Sequence, residues 1–318
     1  MTEASARVVA DNVTPHGERL TTVEATCWRP VLAEQNTHCV LSRNSASSRA
    51  IPVAKMLDRY NTDFAEPLVW PVEQKGMQGG ADLEGVHLEE AQVFWKDISR
   101  SVYKHVCDYV QAHPDPETRL HKSMLNRWLE TGLWQTQIIS ATSWDGYFWQ
   151  RCHKDAEPHI RAMAEAIRDA MAASTPEHLE EEEWHLPYWG DSGGHVNDWD
   201  DALELAFTFG PEKNIDTYKD AVDEIAKRCA VARCARVSYL TQNGVRDLKE
   251  DLELYDRLTA NRVGSLDPPH ASPLEHVATP WAGNVEIVEL PNGEKMGPLP
   301  RVGKFVGWCQ LRHLVLGF

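Results

Sequence analysis

No run of eighteen apolar residues occurs in this 318-residue chain, so the sequence offers no candidate membrane-spanning helix. The opening MTEASARVVADN has no basic segment followed by an apolar one, and a chain without a secretory leader, working in the cytoplasm, is expected. Basic residues are the minority: 32 Lys and Arg against 48 Asp and Glu give a formal net charge of -16. That balance excludes long nucleic acid as a partner, because binding it requires a basic face that displaces counterions. A small phosphorylated ligand stays open, since a few convergent arginines suffice for it. The seven cysteines are scattered without zinc-type spacing. They read as buried thiols of a reducing compartment, and no metal site is expected. GxGxxG and GxxxxGK[ST] are both absent, so any nucleotide site is built without the usual glycine-rich cradles.

What is present is an ordinary globular composition, 42% hydrophobic and 25% charged. Thr21 to Trp28 alternates and predicts a strand. Ala91, Phe94, Ile98, Val102 and Val106 mark one face of a helix from Leu88 to Ala112, ended by His113-Pro114. Leu125, Leu129, Leu133 and Ile139 predict a second helical region from His121 to Ser140. The clearest helix runs from Asp155 to Ala173, with Pro158 in its first turn and Ile160, Met163, Ala164, Ile167, Ala170 and Met171 on one face. An acidic, Trp-bearing stretch from 178 to 200 reads as a long ordered loop. Helices are expected over Asp216 to Cys234 and Leu248 to Asn261. In the tail, NVEIVEL, PNG and KFVGWCQL predict a β-hairpin. The expected fold is α+β, one domain over residues 1–318, with several long helices and a sheet formed from strands near both chain ends.

Gly190 to Gly194 spells GDSGG, a nucleophile signature of trypsin-like proteases. The helical content, and the lack of a histidine in the matching upstream context, argue against that chemistry. The glycines are turn formers.

Four other clusters draw attention. THCVLSRNSASSRAIP (Thr37 to Pro52) is either a solvated loop or a pocket for a phosphate and a polar ring. In ATSWDGYFWQRCHKDAEPHI (Ala141 to Ile160), Arg151 either caps a helix or reaches an anion or carbonyl oxygen beside helix amides. RCARVSYL (Arg233 to Leu240) ends a helix. SPLEHVATP (Ser272 to Pro280) is a proline-bracketed loop with Glu275 and His276.

Together these clusters resemble the flavin-dependent thymidylate synthases (the ThyX family), in a divergent branch. The family signature RHRxxSxNExSxRY, laid on Thr37 to Ala50, is matched by His38, Ser42, Asn44, Ser47 and Arg49. ARVS and SPLEH are similar to the family's ARVS and SPFEH, and FVGWCQLRH (Phe305 to His313) to its FVxRQxxRH strand. In typical members ARVS and SPFEH precede the signature, whereas here they follow it, so the motif order is rearranged.

The resemblance implies methylation of C5 of dUMP, with methylenetetrahydrofolate as carbon donor and bound FAD, reduced by NADPH, as hydride source. It implies a homotetramer with active sites at subunit interfaces. Arg151 matches the arginine that activates the uracil ring. A guanidinium against N3/O4 stabilises negative charge on the ring and makes C5 nucleophilic. Arg49 matches the phosphate-holding arginine, Ser47 the serine beside the pyrimidine, and Arg127 a second nucleotide-contacting arginine. His38, Asn44, Ser140, Thr142, Ser238 and His276 match flavin-contacting positions.

Thr37, Cys39, Ser45 and Ala50 stand where the family has Arg, Arg, Glu and Tyr. Thr37 and Cys39 thus remove two cations from the flavin side. Ser45 removes a carboxylate from the nucleotide side, where Glu34 or Arg43 would have to compensate. A small neutral Ser45 leaves room for a ribose. A family member of the polyoxin nucleoside-antibiotic pathway methylates UMP as well as dUMP, and UMP is therefore a second expected substrate. The alternative is a degenerate member that binds nucleotide or flavin without turnover.

Overall fold

The computed structural model describes residues 4–190, 198–209, 218–239, 247–260, 271–281, 288–289, 295–296 and 303–316. Ser192 and most of the GDSGG stretch lie outside them.

Two long antiparallel strands begin the chain, β1 (Ser5–Val13) and β2 (Arg19–Trp28). A short helix α1 (Leu32–Gln35) and a turn lead into β3 (Ser42–Ser45). Helices α2 (Val53–Thr62), α3 (Gly85–Ala112) and α4 (Lys122–Leu125) precede β4 (Trp134–Ala141). Then come α5 (Asp145–Arg151), α6 (Pro158–Ala172) and β5 (Glu177–His178). The sheet order is β3-β4-β2-β1-β5, antiparallel except where β5 runs parallel to β1.

The second half is helical, with α7 (Asp198–Phe209), α8 (Tyr218–Tyr239) and α9 (Leu248–Thr259). A 3-10 turn over Ser272–His276 follows, then β6 (Ala278–Pro280), β7 (Val288–Glu289), β8 (Lys295–Met296), β9 (Trp308–Gln310) and α10 (Leu311–Leu316).

Alternation along β2 and β4 assigns the two sheet faces. Val23, Ala25, Cys27, Ile139 and Ala141 face α6 and pack on Ile160, Met163, Ala164 and Ile167. The Glu157 side chain caps α6 by accepting from the amides of His159 and Ile160, and Pro158 fits its first turn. On the opposite face, Val9 and Ile138 meet Tyr188 together with Cys234 and Val237 of α8. α8 is buried nearly all round because the sheet, α7 and α9 enclose it, and its Ala and Cys residues permit that close approach.

Several expectations need correction. The sheet does not combine the two ends: all five strands lie within residues 5–178. Residues 121–140 are not one helical region but α4, a 3-10 segment (Asn126–Gly132) and the strand β4. β4 is buried on both faces, so it lacks the polar alternation that marks a half-exposed strand. In the tail, Val288–Glu289 pairs with Lys295–Met296 rather than with KFVGWCQL, PNG lies outside the described residues, and Trp308–Gln310 pairs with Ala278–Pro280. On α3 the C-terminal part packs with Val102, Val106 and Val110 against α2 and Leu129, and further up the helix Trp95 meets Trp28 and Trp70. Phe94 and Ile98 are exposed, 64% and 51%, because they lie on a different face of the helix from Trp95, and among the described residues nothing covers that face.

Candidate functional site

Strand β3 organises the site, because three elements distant in sequence meet its side chains. Ser42, Ser140 and Thr22 lie at one level on β3, β4 and β2 and form a row of hydroxyls on the α8 side of the sheet. Ser42 donates to Glu275 at 2.9 Å, Ser140 is hydrogen-bonded to His276 Nδ1 at 2.8 Å, and Thr22 to His185 Nε2 at 2.7 Å. Ser140 and Thr22 are themselves joined at 2.6 Å. Gln310 of β9 donates to Ser42 and to the Glu275 carbonyl, and Lys304 and Arg312 close on the Glu275 carboxylate. Burial works to raise that carboxyl, but hydrogen bonds and charge from Lys304, with Ser42, outweigh it and hold the pKa below the usual range. At the far end of β3 the Ser47 amide donates to the Ser238 carbonyl at 2.9 Å. The signature stretch, ARVS, SPLEH and the tail motif therefore meet around one four-residue strand.

Arg151 ends α5 and reaches back to the turn before β3. Its Nε donates to His38 Nε2 at 2.8 Å, and its Nη2 to the Glu34 carbonyl and the Thr37 hydroxyl at 3.2 and 3.1 Å. Burial, then the Arg151 and Arg43 guanidiniums, push His38 below its ordinary pKa, so its ring is neutral and accepts through Nε2. Arg43 donates to the carbonyls of Gln35, Asn36 and His38, which makes it a brace for the turn. Nη1 of Arg151 makes no hydrogen bond among the described residues. Nearby, Glu34 Oε2 is buried without a partner, and the Gln35 amide and Tyr147 hydroxyl face one another with no other partner among the described residues. His38 packs edge-on against Tyr147, 4.9 Å between ring centres. These unsatisfied groups are the kind a polar ligand satisfies.

The other expected residues fall in three places. Asn44 is buried on the His276 side, its Nδ2 unpartnered, and His276 Nε2 is likewise sealed and unpartnered. Thr142 accepts from the Val306 amide at 3.1 Å and so anchors the loop before β9. Beyond β3, Arg49 is exposed; Asn126 and Lys122 hold that loop by donating to the carbonyls of Ser48, Ile51 and Ala50, which sets Arg127, also exposed, beside it.

Ser45 is half-buried at the end of the strand, and Cys39 is exposed with its thiol turned to the Thr37 carbonyl. Arg151 is tied to the turn before β3, whereas Arg49 and Arg127 belong to the segments held together beyond its other end.

Sequence reasoning missed Gln35 and Tyr147 beside Arg151, and Asn12, Thr22 and His185 behind His276. Tyr147 lies in the Ala141–Ile160 cluster but nothing there singled it out; only the register of β2 on β4 reveals Thr22, and nothing local marks Gln35, Asn12 or His185. A cavity of about 980 Å³ touches Asn12 and is walled by Trp184, Trp189 and Trp199. None of the expected site residues lines it.

The His185 and His276 imidazoles are neutral: burial pushes His185 down to about 3 and His276 down to about 4, against weaker upward pulls from Asp11 and Glu275 respectively. In the unfolded chain each would titrate near 6.5. Between these values the unfolded state binds more protons, so stability falls as pH drops from about 6.5 toward about 4. Two protons give a slope of up to about 2.7 kcal/mol per pH unit. Urea midpoints measured across this range will show the fall, and His276→Asn will reduce it. A pH-independent midpoint would contradict the burial of neutral histidines.

In class, then, this is an α+β protein with helices on both faces of a mostly antiparallel sheet and a polar, partly unsatisfied site around one short strand. No family model matches the chain, and no curated protein does. Its structural neighbours include two solved structures of PolB, a UMP/dUMP methylase from Streptomyces cacaoi, one bound with 5-Br UMP and one with 5-Br dUMP. Each is 12% identical, with a TM-score of 0.40 over 54% of this chain, and 90% and 91% of theirs. Among the described residues no helix is long and apolar enough to cross a membrane, and no cluster of three or more His, Cys, Asp or Glu is placed to hold a metal ion.

Proposed function

We propose that this chain is a flavin-dependent C5-methylase of a uridine 5′-monophosphate, dUMP or UMP, with methylenetetrahydrofolate as carbon donor and NADPH as reductant. The observation that carries the reading is the meeting of four sequence-distant motifs around β3 and the turn before it. Arg151 supports it further. Two of its nitrogens are spent on the turn, which fixes the guanidinium plane, while Nη1 is left to donate to a ring carbonyl. A cation held there stabilises negative charge on the uracil ring and so makes its C5 nucleophilic toward the one-carbon unit.

The residues present also fit a flavin. His276 Nε2 and Asn44 Nδ2 are buried, unpartnered and on the same side of the sheet, where a polar heterocycle would satisfy them. Bound and reduced, the flavin supplies the hydride that converts the transferred methylene to methyl. The chain's residues hold the ring, orient the uracil and stabilise its charge. Arg49 and Arg127, exposed and adjacent, are suited to a 5′-phosphate.

Arg151 lies before β3 and Arg49 and Arg127 beyond it, and a homotetramer whose sites each take residues from two copies would bring all three to one nucleotide. The exposed Val86, Val93, Phe94 and Ile98 stripe on α3 is the apolar surface such an assembly would cover. Sedimentation equilibrium tests this, and a strictly monomeric active enzyme would refute it.

A binding protein without turnover is the second reading, motivated by the neutral Thr37, Cys39 and Ser45. Reduced flavin that reoxidises in a single turnover without methyl transfer would favour it. The first test is FAD binding: the purified protein should be yellow, or become so on adding FAD, and failure to retain any flavin would sink the proposal.

A further inference from the structure

Five buried side chains form one continuous hydrogen-bonded file across the sheet. Asn12 Oδ1 meets His185 Nδ1 at 2.7 Å, His185 Nε2 meets Thr22 Oγ1 at 2.7 Å, Thr22 meets Ser140 Oγ at 2.6 Å, and Ser140 meets His276 Nδ1 at 2.8 Å. All five residues are at most 7% exposed. The file ends at His276 Nε2, buried and without a partner.

Its direction follows from counting protons. An amide oxygen only accepts, so His185 donates from Nδ1 and, being neutral, carries a bare Nε2. The Thr22 hydroxyl must give its one proton to that nitrogen. Thr22 oxygen then accepts from Ser140, whose proton is thereby used. Ser140 oxygen accepts in turn, and the only remaining donor is N–H at His276 Nδ1.

We propose that Asn12, His185 and Thr22 are positioning residues that, through Ser140, fix His276 in the tautomer protonated on Nδ1. His276 Nε2 is therefore a bare acceptor, and the ligand atom it receives is a hydrogen-bond donor, such as a ring N–H of a heterocycle. A sealed lone pair without a donor is unfavourable in a dry interior, and the arriving N–H removes that penalty. Assigning the donor to a flavin ring rests on the proposed function; the tautomer does not.

The test is long-range ¹H–¹⁵N correlation spectroscopy of the ligand-free, ¹⁵N-histidine-labelled protein. Wild type should show His185 and His276 both protonated on Nδ1. Thr22→Val frees the Ser140 proton to turn toward His276 Nδ1 and should move His276 to the Nε2–H form; Thr22→Ser should restore the wild-type pattern. His276 protonated on Nε2 in wild type, or an unchanged tautomer in Thr22→Val, would overturn the inference.

FAD titration separates the two layers. Thr22→Val should weaken binding about tenfold, the equivalent of one hydrogen bond, and an unchanged affinity with a flipped tautomer would overturn the flavin as donor. A wild type that binds no FAD would defeat the proposed function, while the spectra would still decide the tautomer.

Discussion

Arg151→Ala should lower the rate of methyl transfer by about a hundred- to a thousandfold, the scale expected for removing a preorganised donor from a developing anion, while FAD stays bound. The reasoning is geometric. Arg151 sits between the helix that carries it and the 34–38 turn, with Nε on neutral His38 and Nη2 on Glu34 and Thr37. Its plane is therefore set before substrate arrives, and no reorganisation is needed at the moment of reaction.

Arg151→Lys should recover little, because an ammonium supplies charge without the fixed fork that both braces the turn and presents Nη1. The flavin contacts proposed at His276 and Asn44 lie on other elements, so flavin absorbance and melting temperature should change little. Product formation and flavin content measured on the same samples check this. Full activity in Arg151→Ala would remove Arg151 from the mechanism.

Arg233→Met should destabilise the fold by about 3–5 kcal/mol, the usual consequence of breaking a buried ion pair from one side. Arg233 is 1% exposed. It takes both oxygens of Asp198 at 2.7 and 2.9 Å and one of Asp251 at 2.8 Å, and also donates to the Tyr188 carbonyl. The other Asp251 oxygen accepts from Arg236 of ARVS at 2.7 Å.

One guanidinium thus ties α7 and α9 to α8, the helix whose end delivers Ser238 to β3. Removing it leaves Asp198 without that partner and Asp251 with Arg236 alone, both carboxylates away from water. Asp198→Asn and Asp251→Asn added to Arg233→Met should return much of the loss, because the stranded charges go with the arginine. Urea unfolding of the single and triple variants decides, and a single variant as stable as wild type would contradict the reading.

How much of this was legible in the sequence depends on how local each signal is. The α6 helix was plain because first-turn proline and apolar stripe lie within one segment. The meeting of His38, Arg151, SPLEH and ARVS was legible only through resemblance, since nothing in spacing says that residues far apart in the chain share a strand's edge. β4 was misread as helix: buried on both sides, it shows no alternation, and Leu125, Leu129 and Leu133 supply a helical rhythm up to its start. The exposure of Phe94 and Ile98 was hidden for the opposite reason, because a periodic apolar face does not say whether anything in the chain covers it. Asn12, Thr22 and His185 were invisible because their alignment depends on strand register and on a loop returning across the sheet.

The most direct measurement of the central claim is product analysis by mass spectrometry with dUMP and UMP side by side. Reactions contain FAD, NADPH and methylenetetrahydrofolate, with each omitted in turn. The account predicts a uracil C5-methylated monophosphate from at least one substrate, lost when either the folate or the reductant is withheld. A methylated product that still forms without NADPH and flavin, or no product from either nucleotide by an FAD-loaded protein, would contradict it.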